Sequence, residues 1–159
     1  MAFENVNSTM NAAGGLRLVN WNTAEDQSVS ISRGNGVANF SNNGLGIGID
    51  VELEDGLQNL NITQVNSSNN LVGLQVDASG ADTELNLDFV NNFSVSNSQF
   101  DGIQVTAASG AEINANILNE DGFNGGTLNV NDNGGNGLSL LATSTTGDCL
   151  LYTSPSPRD

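Results

Sequence analysis

The sequence predicts an all-β protein folded as a parallel β-helix solenoid, with about four to five rungs of about 29 residues and three short strands in each rung. Two observations carry this prediction. A four-residue figure of glycine, apolar, variable and apolar residue returns along the chain, and apolar residues alternate with polar ones in short stretches. Such alternation is typical of strands with one buried face.

The glycine figure sets the expected register of the rungs. It occurs at Gly15–Leu18, Gly44–Ile47, Gly73–Val76, Gly102–Val105 and Gly137–Leu140, and its glycines are 29, 29, 29 and 35 residues apart. Each glycine is predicted to open a turn, because glycine adopts positive φ without strain. If the copies are equivalent, one inward stack contains Leu16, Leu45, Leu74, Ile103 and Leu138. The six extra residues of the longest interval are placed in the loop Asp121–Gly126.

Each rung carries three strand candidates. In one rung they are the alternating stretch Leu74–Ala78, the stretch around Leu85 and Leu87, and Phe93–Val95, with equivalents in the next rung. Clusters rich in Gly, Asn and Ser separate them and predict turns. A leucine-rich repeat needs a helical return and a propeller blade needs four strands, so the stacked solenoid is the architecture that remains.

The charge restricts the partners. The 159 residues carry a formal net charge of −15, and their only cations are Arg17, Arg33 and Arg158. This balance argues against nucleic acid and anionic membranes. Cations and neutral surfaces, including polysaccharides or other cell-surface ligands, are the expected partners, together with further rungs of the same chain.

The last eleven residues, Cys149–Asp159, differ abruptly in composition, since they hold the only cysteine, the only tyrosine and both prolines. They resemble the translated reading frame of a sequencing adaptor. We therefore expect residues 149–159 to be an artefactual tail and residues 1–148 to be a single β-helix fragment truncated at both ends.

The pattern from Phe93 to Val105 resembles a rung of the right-handed parallel β-helix, or pectate-lyase-like, superfamily, and the likeness extends over roughly residues 3 to 148. The resemblance implies a right-handed solenoid. Members include polysaccharide lyases, polygalacturonase-like hydrolases, alginate epimerases, phage tailspikes and repetitive bacterial surface proteins. The asparagine-rich, lysine-free texture is most similar to the last group, which implies an extracellular or cell-surface location although no signal peptide is visible.

Enzymes of this superfamily place their chemistry on outward positions of one strand ladder. For the glycine-figure strands, the expected outward residues are Arg17, Gly46, Gln75, Gln104 and Ser139, followed by Val19, Gly48, Asp77, Thr106 and Leu141. This row lacks histidine, lysine and a facing carboxylate pair, so no catalytic residue is predicted. The candidate binding residues are Arg17, Gln75, Asp77, Asp101 and Gln104. Arg17 either binds a uronate carboxylate or offsets neighbouring acids. Asp77 and Asp101 either approach one another across adjacent rungs or are solvated or turn-capping residues.

A second candidate site is acidic. Glu52, Asp82 and Glu112 fall at nearly equivalent places in three successive rungs. Carboxylates stacked about 4.8 Å apart repel one another, and Ca²⁺, which prefers several oxygen ligands, would relieve the repulsion. The alternative is a hydrated acidic face without a bound ion.

The function expected from these observations is a non-catalytic structural or adhesive segment of a large, repetitive, secreted or cell-surface bacterial protein. Two alternatives stay open. One is a fragment of a carbohydrate-active enzyme, a polysaccharide lyase or glycoside hydrolase, whose catalytic rungs lie elsewhere. The other is a carbohydrate-binding module that uses a polar ladder as its groove.

Overall fold

A computed structural model describes residues 1–20, 27–34, 38–90, 92–118, 128–143 and 150–154. In these ranges the chain forms fourteen strands and no helix. The strands are β1 (Ala2–Glu4), β2 (Gly14–Asn20), β3 (Gln27–Ser32), β4 (Ile47–Leu53), β5 (Gly56–Thr63), β6 (Asn66–Ser68), β7 (Leu74–Ser79), β8 (Thr83–Val90), β9 (Phe93–Ser96), β10 (Ile103–Ala108), β11 (Glu112–Leu118), β12 (Leu128–Asn131), β13 (Leu138–Thr143) and β14 (Leu150–Ser154).

The strands form three parallel sheets, and the chain visits the sheets in turn. Sheet 1 has the order β2-β4-β7-β10-β13, sheet 2 has the order β1-β3-β5-β8-β11-β14, and sheet 3 has the order β6-β9-β12. One rung therefore runs through β7, β8 and β9 before β10 begins the next. The predicted all-β parallel solenoid is confirmed, with about four turns. The predicted tail contributes β14, which pairs with β11, while Cys149 and residues 155–159 lie outside the described residues.

The interior is filled by the alternating apolar residues of all three sheets. Leu74, Val76 and Ala78 of β7 are buried, as are Leu85 and Leu87 of β8. The residues between them point outward, which is the alternation that the sequence predicts. Phe93 closes the interior from sheet 3 and stacks on Phe89 with ring centroids 5.4 Å apart.

The predicted register of the second copy is wrong by four residues. The strand pairing aligns Leu16 with Ile49 and Ile49 with Leu74, so the glycine level with Gly73 is Gly48 and not Gly44. Leu45 lies outside the inward stack, with 75 % of its surface exposed. Gly48-Ile49-Asp50-Val51 also fits the glycine figure, and only it continues into a strand with buried alternate residues.

Four glycines of this corrected column are required by space and not by backbone conformation, and the last one, Gly137, has room for a Cβ. The column contains Gly15, Gly48, Gly73, Gly102 and Gly137. A Cβ at Gly73 would lie 2.2 Å from Cγ1 of Val95, and a Cβ at Gly102 would lie 2.5 Å from Cγ1 of Val130. None of the five has a positive φ, so positive φ is the wrong reason for glycine in this column, whereas Gly44 of the predicted column has a φ of 59° in the turn before β4. The chain passes from sheet 3 into sheet 1 too tightly for a side chain.

The left-handed backbone at this corner is supplied mainly by asparagine. Met10, Asn42, Asn69, Asn97 and Asp132 occupy equivalent positions, and their φ values are 60, 59, 55, 54 and 54°. Asparagine and aspartate tolerate this conformation better than other side chains do. The next residue of each rung turns back into the interior.

Those next residues form the asparagine ladder, a column that contains Asn11, Asn43, Asn70, Ser98 and Asn133. Its three middle members, Asn43, Asn70 and Ser98, are buried. Nδ2 of Asn43 donates to Oδ1 of Asn70 over 3.2 Å, and the backbone N of Asn43 donates to the same oxygen over 3.0 Å. Asn11 donates to Oδ1 of Asn43 in the same way, over 3.1 and 3.2 Å. Each amide thus satisfies polar groups of the neighbouring rung at the corner.

Candidate functional site

Two polar rows run along the outer face of sheet 1. The first contains Arg17, Asp50, Gln75, Gln104 and Ser139, and the second contains Val19, Glu52, Asp77, Thr106 and Leu141. Asp50 and Glu52 therefore stand where the sequence placed Gly46 and Gly48. With this register, the part of the face beside Arg17 carries two carboxylates, where two glycines were predicted.

Arg17 is held by two carboxylates of the neighbouring strand. Its Nε lies 3.2 Å from Oδ2 of Asp50, and its Nη2 lies 2.7 Å from Oε1 of Glu52. Of the two roles considered for Arg17, this geometry corresponds to the offsetting of neighbouring acids. The hydrogen bond to Glu52 raises the pKa of the guanidinium further above its usual value.

Asp50 is the most perturbed carboxyl of this cluster. Its Oδ1 is buried without a hydrogen-bond partner, while Oδ2 faces Arg17. Burial raises the pKa of Asp50, and the nearby charges of Glu52 and Asp77 act in the same direction, against the opposing effect of Arg17. The cluster thus combines a fixed ion pair with one carboxyl that holds its proton more tightly than usual.

Asp77 extends the acidic cluster by one rung. Nε2 of Gln75 donates to Oδ2 of Asp77 over 2.6 Å. A shallow depression of about 220 Å³ lies between the two rungs and is lined by Glu52, Leu53, Glu54, Asp77 and Ser79. Arg17, Gln75 and Asp77 therefore lie on one face, with Asp50 between Arg17 and Gln75 and with Gln104 following in the row of Gln75.

Asp101 lies apart from this face. Its Oδ1 accepts a hydrogen bond of 2.7 Å from the backbone N of Asn136, which fixes the turn of the next rung. Asp77 is level with Thr106 within β10, whereas Asp101 precedes that strand. Of the two alternatives for Asp101, the hydrogen bond from Asn136 corresponds to the turn-capping role.

The three carboxylates predicted to bind Ca²⁺ are not equivalent. Glu52 is level with Asp77 in sheet 1, whereas Glu112 is level with Glu84 in sheet 2. Asp82 lies in the turn between those sheets, where its backbone carbonyl accepts a hydrogen bond of 3.1 Å from Gly56 N. Among the described residues, no group of three acidic, histidine or cysteine side chains is placed to hold a metal ion.

No residue on the outer face of sheet 3 was predicted to belong to a site. Its two rows contain Asn7, Asn39, Asn66, Ser94 and Asn129, and Thr9, Ser41, Ser68, Ser96 and Asn131. All ten side chains are uncharged amides or hydroxyls. Nδ2 of Asn66 donates to Oδ1 of Asn39 over 3.1 Å, and Oγ of Ser68 donates to Oγ of Ser41 over the same distance. A signal was present, because asparagine and serine alternate with buried residues at these strands.

A groove borders this neutral face. It has a volume of about 360 Å³ and is lined by Arg33, Ala38, Gln64, Val65, Asn66, Asn92 and Ser94. The molecule thus presents an uncharged amide and hydroxyl surface on sheet 3 and an acidic surface on sheet 1.

Comparison with protein-family models, with curated proteins and with solved structures finds no match for this chain. In the part of the chain that the structure describes, there is no helix long and apolar enough to cross a membrane.

Proposed function

We propose that this chain is a non-catalytic structural segment of a large, repetitive, secreted or cell-surface bacterial protein. The observation that supports the proposal is the stacking of equivalent residues through successive rungs. Columns of apolar residues and glycines repeat from one rung to the next, and corner amides form a third column that Ser98 interrupts. Their side chains serve mainly to fix one rung on another, which is the property that a spacer or stalk needs.

Two groups of paired polar side chains on the outer face of sheet 1 fit this non-catalytic role. On sheet 1, Arg17 is paired with Asp50 and Glu52, and Asp77 accepts from Gln75. General acid–base chemistry on a glycan requires two positioned carboxyl groups that face the reacting bond, or a base with a cationic partner. On sheet 1 the guanidinium of Arg17 is already paired with Asp50 and Glu52. The acidic surface would instead keep a long extracellular protein soluble and separate from anionic polymers.

The spacer role is tested by inserting a second copy of residues 74–102 between Gly102 and Ile103. Because Gly73 and Gly102 share one column, the inserted segment should form one more rung, lengthen the rod by about 4.8 Å in small-angle scattering and raise the melting temperature. A scrambled insert of the same composition is the control. A lower melting temperature with the true copy would contradict modular stacking.

Turnover assays separate this proposal from the enzyme alternative. We expect no release of reducing ends or unsaturated products from polygalacturonate, alginate or neutral glycans. Measurable turnover that disappears in the Asp50→Asn variant would overturn the proposal and move the function to sheet 1.

A second function, binding of a neutral polysaccharide, is favoured by the uncharged face of sheet 3. Amide and hydroxyl groups can exchange hydrogen bonds with sugar hydroxyls without the desolvation cost of a charge. The acidic remainder of the molecule would repel anionic glycans. In a pull-down with cellulose or chitin, Ser96→Glu should weaken binding, whereas Gln104→Glu adds the same charge on sheet 1 and should not. A larger effect at Gln104 would place the binding surface on sheet 1.

A further inference from the structure

We propose that the corner between sheets 3 and 1 binds the apolar ring faces of a neutral glycan whose hydroxyl groups bind the outer face of sheet 3. This binding mode rests on the second proposed function, binding of a neutral polysaccharide, and adds the residues that select the sugar. At the corner, three successive rungs carry large apolar side chains, and these form an apolar ridge of Leu45, Leu71 and Phe100. Leu45 and Phe100 are 75 % and 60 % exposed, and Leu71 is partly buried.

The backbone of the apolar ridge is fixed by hydrogen bonds between rungs. The N of Phe100 donates to the carbonyl oxygen of Leu71 over 2.9 Å. The N of Leu71 donates over the same distance to the carbonyl oxygen of Gly46, the residue after Leu45. On its other side, the carbonyl oxygen of Phe100 accepts from the N of Gly135 over 2.9 Å. Because the backbone is already held on both sides, little conformational entropy is lost when a ligand binds.

The rung after Phe100 leaves this part of the corner without side chains. Gly134 and Gly135 pass beside Phe100 there. A Cβ at Gly134 would lie 2.2 Å from the carbonyl oxygen of Gln99, and a Cβ at Gly135 would lie 2.4 Å from Oδ1 of Asp101. Space therefore requires glycine at both positions. Because Phe100 has a neighbouring rung on both sides, its exposure is a property of the corner itself.

The surroundings of the apolar ridge favour a neutral glycan as its occupant. Ser96, on the uncharged outer face of sheet 3, lies four residues before Phe100, and four residues of chain span at most about 14 Å. A glycan carries hydroxyl groups beside apolar C–H ring faces, so it matches a hydrogen-bonding surface that adjoins an apolar ridge. A stable protein interface buries about 800 Å² on each partner, which is more area than three side chains expose.

The apolar ridge also favours one class of sugar. In β-linked glucopyranose the ring substituents are equatorial, so both ring faces present only C–H groups, which pack well against an aromatic ring. An axial hydroxyl, as in galactose, places a polar group on one ring face. Burying that hydroxyl against Phe100 without a hydrogen bond would be costly. The expected ligand is therefore a neutral β-glucan.

The test is affinity electrophoresis of the full chain in gels that contain hydroxyethylcellulose, a soluble neutral β-glucan, or a neutral β-galactan. The glucan should bind more tightly than the galactan. Phe100→Ala should weaken binding of the glucan by about fivefold, with little change in melting temperature because the ring is exposed. Phe100→Trp keeps a flat ring and should retain binding. Val19→Ala, the matched control, truncates an exposed apolar side chain on sheet 1 and should have no effect.

The outcomes separate the apolar ridge from the proposed polysaccharide function. Unchanged binding by Phe100→Ala, together with weakened binding by Ser96→Glu, would overturn the role of the ridge alone. Equal binding of glucan and galactan would overturn stacking on the ring face. If neither glycan retards the unsubstituted chain, both the ridge and the polysaccharide function are overturned. Sedimentation velocity tests a second copy as the occupant, and self-association that Phe100→Ala abolishes would assign the ridge to that contact instead.

Discussion

An interior rung and the last rung place similar residues at the same positions in different surroundings. Ile103 and Leu138 are direct partners in one column, but Ile103 is completely buried while nearly half of Leu138 is exposed. Ile103 has a neighbouring strand on both sides, whereas Leu138 has a described neighbour on one side only. Burial in this molecule is therefore a property of the stack and not of the rung, as expected for a quasi-one-dimensional fold.

The largest expected difference between the two rungs follows from truncating these partners. Ile103→Ala should lower the free energy of unfolding by about 2–5 kcal/mol, because it removes a fully buried side chain and leaves a cavity. Leu138→Ala should cost less than about 1 kcal/mol, because water already reaches that side chain. Urea unfolding of both variants measures the contrast. Similar losses would contradict this contrast, because they would mean that Leu138 is covered in solution as Ile103 is.

The asparagine ladder gives the same contrast for buried polar groups. Asn43→Ala removes the acceptor of two bonds from Asn11 and should cost about 1–3 kcal/mol, since buried amide groups lose their partners. Asn11→Ala, at the exposed start of the ladder, should cost a few tenths of that amount. Thermal unfolding followed by circular dichroism measures both, and an equal loss would show that the ladder does not act through burial.

A smaller contrast concerns the glycine column. Gly102→Ala places a Cβ 2.7 Å from the carbonyl oxygen of Gly137 and 2.5 Å from Cγ1 of Val130. It should cost about 1–2 kcal/mol, after the lower entropy of the unfolded chain offsets part of the clash. At Gly137 the nearest atom would be 3.6 Å away, so Gly137→Ala should be neutral or slightly stabilising. Melting temperatures compare the two. Destabilisation by Gly137→Ala would indicate that something packs beyond the last rung.

The smallest expected effect is a pH dependence of the free energy of unfolding. It arises from the cluster of Arg17, Asp50 and Glu52 near the other end of sheet 1. A raised pKa means that folded Asp50 binds its proton more tightly than the unfolded chain does. Stability from this group therefore grows as pH falls from the raised pKa toward the usual carboxyl value, about 4, and is lost as pH rises. Relative to Asp50→Asn, the unsubstituted chain should gain less than about 1 kcal/mol between pH 7 and about pH 4.

Asp82→Asn is the control for this measurement, because Asp82 is exposed in a turn. Paired melting curves at the two pH values should show the difference for Asp50→Asn only. The same change in both variants would refute a specific role of Asp50.

The fold could be predicted because its determinants are local. Alternation with a period of two places Leu74, Val76 and Ala78 inward whatever the neighbouring rung does. The register of the second rung could not be predicted, because Gly44 and Gly48 both begin the glycine figure. A constant spacing of 29 residues favoured Gly44, which is not in the structural column. That single error hid Asp50 and Glu52 as the partners of Arg17. The asparagine ladder could not be predicted, because its members are irregularly spaced in the sequence and Ser98 interrupts it.

The rungs have unequal lengths, since the glycines of the structural column are 33, 25, 29 and 35 residues apart. The differences fall between the strands, while the paired strands stay in register. Insertions and deletions at corners are therefore nearly silent for the fold, and a lineage can change the length of each rung while it conserves the cross-section. In such a protein, homology resides in columns of stacked residues, and a search for one fixed sequence period would overlook related chains that share this architecture.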